Sequence, residues 1–159
     1  MALARILVPV DYSEPSRAAL ELAGLLAQAV GASLLVLHGW ESPPFADSVA
    51  IVGPKPNRRH PALDELVVEN AQRELERFVA SAPPPVGIEV EQKLSSGSPT
   101  RVILDELQQG AYDLVVMGTH RKSAVEAMLI GSVADRVIRD SEVPVLVVPP
   151  SDDQPLSVD

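Results

Sequence analysis

The residues with most chemical potential lie in one stretch, GTHRKSAVEAMLIGS, running from Gly118 to Ser132. It carries glycines at 118 and 131 and a basic pair, Arg121-Lys122. Glycine admits positive φ and lets backbone approach a ligand closely. A glycine followed by serine at a helix start presents free backbone N–H groups at the positive end of the helix dipole, which suits an anion. Asp11, at the tip of the first apolar run, can accept hydrogen bonds from ribose hydroxyls. These residues outline a nucleotide: a polyphosphate over the helix start, its ribose against Asp11. Each also has a plainer role open to it. Gly118 fits a tight strand-to-loop turn, and Arg121 with Lys122 fits a solvated surface pair. Ser132 fits a helix cap worth about 1 kcal/mol, and Asp11 fits a turn bonded toward Ser13. His38, His60 and His120 stand apart from one another without metal-ligand spacing, so no metal site is expected.

The elements that must position these residues are marked by hydropathy. Arg5–Val10, Ser33–Leu37, Leu114–Met117 and Val143–Val148 are nearly continuous in Val, Ile and Leu, as in strands buried on both faces of a parallel sheet. Ile88–Leu94 alternates apolar with polar and predicts a half-exposed edge strand. Between them, Ala19, Leu22, Ala23, Leu26 and Val30 form a helical stripe, with Ser13 as N-cap, Pro15 in the first turn and Gly31 as stop. Leu63, Leu66, Val67, Ala71, Leu75, Phe78 and Val79 form a second stripe, ended by Pro83–Pro85. Ser98-Pro99 opens a third helix with Val102, Ile103 and Leu107 inward and Gly110 beyond its end. Ser132 to Asp135 has the spacing of a capping box for a fourth, carrying Val133, Val137 and Ile138. Strict β-α alternation implies an α/β fold, a parallel sheet with helices on both faces and right-handed crossovers. Ligands of such sheets bind beyond the carboxyl ends of strands, which selects Pro9–Ser13, His38–Trp40, Leu94–Ser98 and Gly118–Ser132.

The chain has 159 residues, the length of one domain. Apolar residues are 46% and charged residues 22%, a globular composition. There is no cysteine, which excludes disulfides and thiol chemistry. A formal net charge of -9 argues against nucleic acid as a partner, because such binding needs a basic face. No apolar stretch nears the ~18 residues of a membrane span, and the start lacks the pattern of a secretory signal. A cytoplasmic protein with no membrane partner is expected. The domain spans 1–149 and contains a long, Pro-rich, partly basic loop at 41–60; residues 150–159 form an acidic, flexible tail.

VPVDYS (Val8–Ser13), LLVLHGWE (Leu34–Glu41), DLVVMGTHRKS (Asp113–Ser123) and IGSVADRVIRDSEVPVLVV (Ile130–Val148) together resemble the universal stress protein (UspA) family over roughly residues 3–149. The resemblance implies a three-layer, Rossmann-like sheet of five strands in order 3-2-1-4-5. It also implies a homodimer and, in one branch, ATP or AMP, with Mg2+ only where ATP is bound. That branch carries Gly-x-x-Gly, nine residues, then Gly-Ser or Gly-Thr. Gly118 and Gly131-Ser132 match it, whereas Arg121 stands at the second glycine and Ala124 at a further one. The nucleotide contacts expected are Pro9, Val10, Asp11, Ser13, Gly39, Met117, Gly118, His120, Gly131, Ser132 and Val133, with Arg121 as a further one where its planar guanidinium takes the place of the missing glycine against phosphate oxygens. The dimer contacts expected are Val143, Val145, Leu146, Val147 and Val148, because a flat apolar edge strand is protected by pairing with a second copy. The alternative is a nucleotide-free dimeric module, with Arg121 filling the place of the phosphates. Glu126 and His120 are the nearest candidates for a base, so a bound-or-empty switch is expected rather than turnover, with at most weak ATP hydrolysis. A phosphoryl receiver shares the strand order, but the third strand ends in LSSGS without an acceptor aspartate.

Overall fold

Strands and helices alternate along the chain as β1 (Arg5–Pro9), α1 (Glu14–Val30), β2 (Ser33–Trp40), α2 (Pro61–Ser81), β3 (Val90–Ser96), α3 (Pro99–Gln109), β4 (Leu114–Gly118), α4 (Ser132–Asp140) and β5 (Val145–Val148). The computed structural model describes residues 3–41, 61–120 and 131–150. All strand pairings are parallel and the order is β3-β2-β1-β4-β5. Alternate strand residues point to opposite faces. Ile6, Val8, Leu34, Val36 and Val116 pack with Ala19, Leu20, Ala23 and Ala27 of α1 and with Leu75 and Val79 of α2. Leu7, Leu35, Leu37, Val115 and Met117 pack with Val102 and Ile103 of α3 and with Ala134 and Val137 of α4. Helices thus cover both faces, which is why the central strands carry apolar residues at nearly every position.

Local chemistry sets most boundaries. Ser13 caps α1, its side chain accepting from the Ser16 N–H at 3.3 Å, and Pro15 sits in the first turn. Gly31 closes the helix at φ 74°, its N–H donating to the Ala27 carbonyl.

Elsewhere the expected boundaries need correction. β2 runs on to Trp40 because His38, Gly39 and Trp40 pair with Leu94, Ser95 and Ser96. β3 is accordingly Val90–Ser96, two residues beyond the expected run. β5 begins at Val145; Val143 belongs to a turn, where its N–H donates to Ser141 Oγ and its carbonyl accepts from the same hydroxyl. The fourth helix is capped by Gly131, which has no side chain to bond, and Ser132 is its first residue rather than its cap. The expected inward faces were also too generous: Val30, Leu66, Val67 and Ile138 are exposed. Among the described side chains of α2, those on the core lie in its C-terminal half: Leu75, Phe78 and Val79. Of the loop at 41–60 only Glu41, and of the tail at 150–159 only Pro150, belong to the described residues. Among those residues no helix is long and apolar enough to cross a membrane.

Candidate functional site

The chain leaves β1 for β2 and β3 on one side, then returns to β4 on the other. Connections from β1 and β4 therefore diverge, opening a crevice at the carboxyl ends of the two strands. A cavity of about 280 Å³ lies there. Its apolar wall comes from Val10, Leu37, Ile103, Met117 and Ala134, all buried; its polar edge comes from Asp11, Ser16, Thr119, His120 and Ser132. Of the expected nucleotide contacts, Pro9, Val10, Asp11, Gly39, Met117, Gly118, His120, Gly131, Ser132 and Val133 line this cavity. Ser13 does not, because its hydroxyl is spent on the start of α1 and on Asp11. Arg121, Lys122, Ala124 and Glu126 lie outside the described residues.

Asp11 combines the plain role and the chemical one. Its Oδ1 accepts the Ser13 N–H at 3.1 Å and the Ser13 hydroxyl, forming a turn that leads into α1. Its Oδ2 lies 2.9 Å from His120 Nε2. Partial burial pushes the carboxyl's pKa up, but hydrogen bonds from His120, Ser13 and Ser16 outweigh that and bring it down to about 2. Asp11 is therefore anionic at neutral pH. The next residue, Tyr12, was not singled out by sequence; it has φ 63°, a left-handed conformation that costs a non-glycine residue roughly 1–2 kcal/mol.

The two motif glycines do different work. A Cβ at Gly118 would lie 2.4 Å from the carbonyl carbon of Pro15 and 2.7 Å from the nitrogen of Ser16. This glycine lets the start of α1 cross the end of β4. It is not among the positive-φ glycines, so its expected conformational role is replaced by a packing one. Gly131 has φ -50°, and among the described residues the atom nearest to a Cβ there would be Thr119 Oγ1 at 3.6 Å. Its N–H donates to that same Oγ1 at 3.2 Å. The first backbone bond of α4 runs from Asp135 to Gly131, which leaves the N–H groups of Ser132, Val133 and Ala134 without acceptors inside the helix. Those groups and the helix dipole make this edge attractive to an anion.

Sequence reasoning missed Thr119, which is 2% exposed and ties β4 to α4. It also missed Ser16, Leu37, Pro99, Ile103 and Ala134 as cavity residues. Pro99 and Ile103 had a usable signal, since a helix opening directly after a strand end must present its first turns to the carboxyl edge. Gly39 is pressed against that turn: a Cβ there would sit 3.3 Å from Pro99 Cα and from Val102 Cβ. Among the described residues no group of three His, Cys, Asp or Glu is placed to hold a metal.

Residues 3–149 match the model of the Universal stress protein family. Universal stress protein MJ0531 of Methanocaldococcus jannaschii is 31% identical over 144 residues, covering 91% of this chain and 81% of that protein. The solved structure of protein MJ0577 from the same organism superposes with a TM-score of 0.71 at 26% identity, over 96% of this chain and 99% of that one. A universal stress protein from Archaeoglobus fulgidus, solved in complex with dAMP, has the same fold, with a TM-score of 0.61 at 24% identity over 93% of this chain and 99% of that one.

Proposed function

The chain belongs to the universal stress protein family, and we propose that it binds an adenine nucleotide, AMP or ATP, in the cavity between the tips of β1 and β4. It then acts as a regulatory protein through its bound or empty state. One observation carries this reading: the dipeptide Thr119-His120 joins the carboxylate to the helix start. His120 reaches Asp11 while Thr119 takes the N–H of Gly131, so both lie on one cavity edge. Asp11 supplies an acceptor for ribose hydroxyls, and the N–H groups of Ser132 and Val133 supply donors for phosphate oxygens. Val10, Leu37, Ile103 and Met117 supply an apolar surface for the base. Small-ligand pockets run from roughly 300 Å³ upward, so a cavity of about 280 Å³ suits a base and ribose with phosphates toward the mouth. The Archaeoglobus fulgidus protein of this fold was solved with dAMP; for this chain the reading rests on its own residues.

Mass analysis of small molecules released from the denatured protein, followed by calorimetry with AMP and ATP, tests the proposal. Saturable binding that Asp11→Ala weakens supports it. No saturable binding favours the nucleotide-free reading, which draws on the engagement of both Asp11 oxygens within the chain. Arg121→Gly then separates an obstructed site from none, because an obstructed site gains affinity in that variant.

The same reading includes a two-fold dimer through β5. That strand is at the sheet edge, its outer side takes no partner among the described residues, and Leu146 is 36% exposed. A flat VLVV edge of this kind is covered in stable proteins.

A further inference from the structure

The turn between β1 and α1 holds a device that nucleotide contacts alone leave unexplained. Tyr12 stands between the cavity residue Asp11 and the N-cap Ser13, with φ 63° where a glycine would be at ease. Its ring stacks on His38 with centroids 4.2 Å apart and planes at 27°, and leans on Phe78 of α2 at 5.3 Å and 54°. His38 is itself tied back, its Nδ1 lying 2.8 Å from the carbonyl oxygen of Val10. The N–H of Val10 donates to the carbonyl of Leu37 at 2.9 Å. Asp11 is therefore flanked on one side by a residue bonded twice to β2, and on the other by a residue held through its ring.

The ring matters here and the hydroxyl does not. Tyr12 Oη is buried with no hydrogen-bond partner among the described residues, an arrangement that disfavours tyrosine over phenylalanine. Burial, with a smaller contribution from Glu74, pushes its pKa up to about 12, so the group stays neutral. Tyr12 and Phe78 belong to the α1/α2 side of the core, whereas most of the cavity's apolar wall belongs to the α3/α4 side. Neither residue lines the cavity.

We propose that Tyr12 is a positioning residue: its ring, clamped between His38 and Phe78, holds the left-handed turn that aims the Asp11 carboxylate across the sheet edge into the cavity. The direction of Oδ2, the oxygen facing His120, follows from that turn, because Oδ1 is already bonded at Ser13. Releasing the clamp lets residue 12 relax to negative φ and swings the carboxylate off its line. The consequence for ligand binding rests on the nucleotide reading above, whereas the consequence for Asp11 itself does not.

Two measurements on Tyr12→Phe, Tyr12→Ala and Phe78→Ala test this. The first is a carbon-detected NMR titration of the Asp11 carboxyl in the unliganded protein; the second is calorimetry with AMP as the probe. Tyr12→Phe keeps the ring and is expected to leave both readouts unchanged, rescuing what Tyr12→Ala loses. Tyr12→Ala and Phe78→Ala are expected to move the Asp11 midpoint upward from about 2 toward the ordinary 3.8. They are also expected to weaken AMP about tenfold, the loss of one misplaced hydrogen bond to a charged group. An Asp11 midpoint that stays put in folded Tyr12→Ala, or in Phe78→Ala should the first variant not fold, overturns the proposal. A parent protein that ignores AMP while its Asp11 midpoint still responds to Tyr12→Ala overturns the nucleotide reading and supports the positioning role.

Discussion

Adding a single methyl group at residue 118 separates a glycine that serves a ligand from one that serves the fold. In Gly118→Ala the new Cβ would lie 2.4 Å from the Pro15 carbonyl carbon, 2.5 Å from its oxygen and 2.7 Å from the Ser16 nitrogen. All three atoms are backbone, in two buried residues at the start of α1, so no flexible side chain can yield. Reaching ordinary contact requires that turn to retreat by about 1 Å, the overpacking regime that costs ~1–3 kcal/mol. The upper end applies because backbone must move. At ~2–4 °C per kcal/mol for a domain of this size, thermal unfolding of the unliganded protein should drop by about 5–10 °C. Circular dichroism melts of Gly118→Ala beside Gly131→Ala provide the assay. Residue 131 has φ -50° and, among the described residues, its nearest neighbour at 3.6 Å, so its alanine is expected to lose N-cap preference, up to about 1 kcal/mol. Equal melting of Gly118→Ala and the parent, with AMP binding abolished, would refute the packing reasoning and return Gly118 to a ligand role.

Three further outcomes follow from named contacts. Because the Asp11 carboxyl titrates near 2 when folded and near 3.8 ordinarily, its contribution is complete above about pH 4 and is lost as pH falls toward 2. Urea midpoints of Asp11→Asn should therefore fall less than the parent's over that window, by under about 1 kcal/mol since the side chain is half exposed. Tyr112→Phe removes a 2.6 Å bond to the buried Glu106, whose other oxygen lies 2.6 Å from Lys93 Nζ. Denaturant unfolding should show a loss of roughly 1.5–3 kcal/mol, typical of a hydrogen bond to a charged group, with AMP affinity unchanged because none of the three lines the cavity. Leu146→Lys places a charge on the exposed strand β5; on the proposed pairing, sedimentation should give a dimer for the parent and a monomer for the variant, and a dimer persisting in the variant excludes this edge as the interface.

Most of the scaffold was legible because burial on both faces leaves runs such as ILVPV and LLVL, and because Ser13, Pro15 and Gly31 mark the ends of α1 by local bonds. Its failures have specific causes. His38, Gly39 and Trp40 carry no continuous apolar signal, yet they are strand because β3 is beside them to pair with. Ser132 has the type of a cap, yet the cap is one residue earlier because the Asp135 N–H donates to the carbonyl of Gly131. Asp11 and the Gly131-Ser132 step were visible as chemistry, but the residues that hold them in place were not. Thr119 is an unremarked threonine in the chain, and Tyr12 an ordinary aromatic between an aspartate and a serine.

By itself the order of residues determined the alternation of strand and helix, the two covered faces and the identity of an anionic tip and an anion-attracting helix start. Those properties come from solvation and local hydrogen bonding, which act over a few residues. Only the tertiary structure decided that Asp11 and Gly131, 120 positions apart, share a cavity edge, that Gly118 yields space to α1, and that Tyr12 is held in a left-handed turn by His38 and Phe78. Such choices depend on contacts between segments distant along the chain, whose energies exist only once the sheet has brought those segments together.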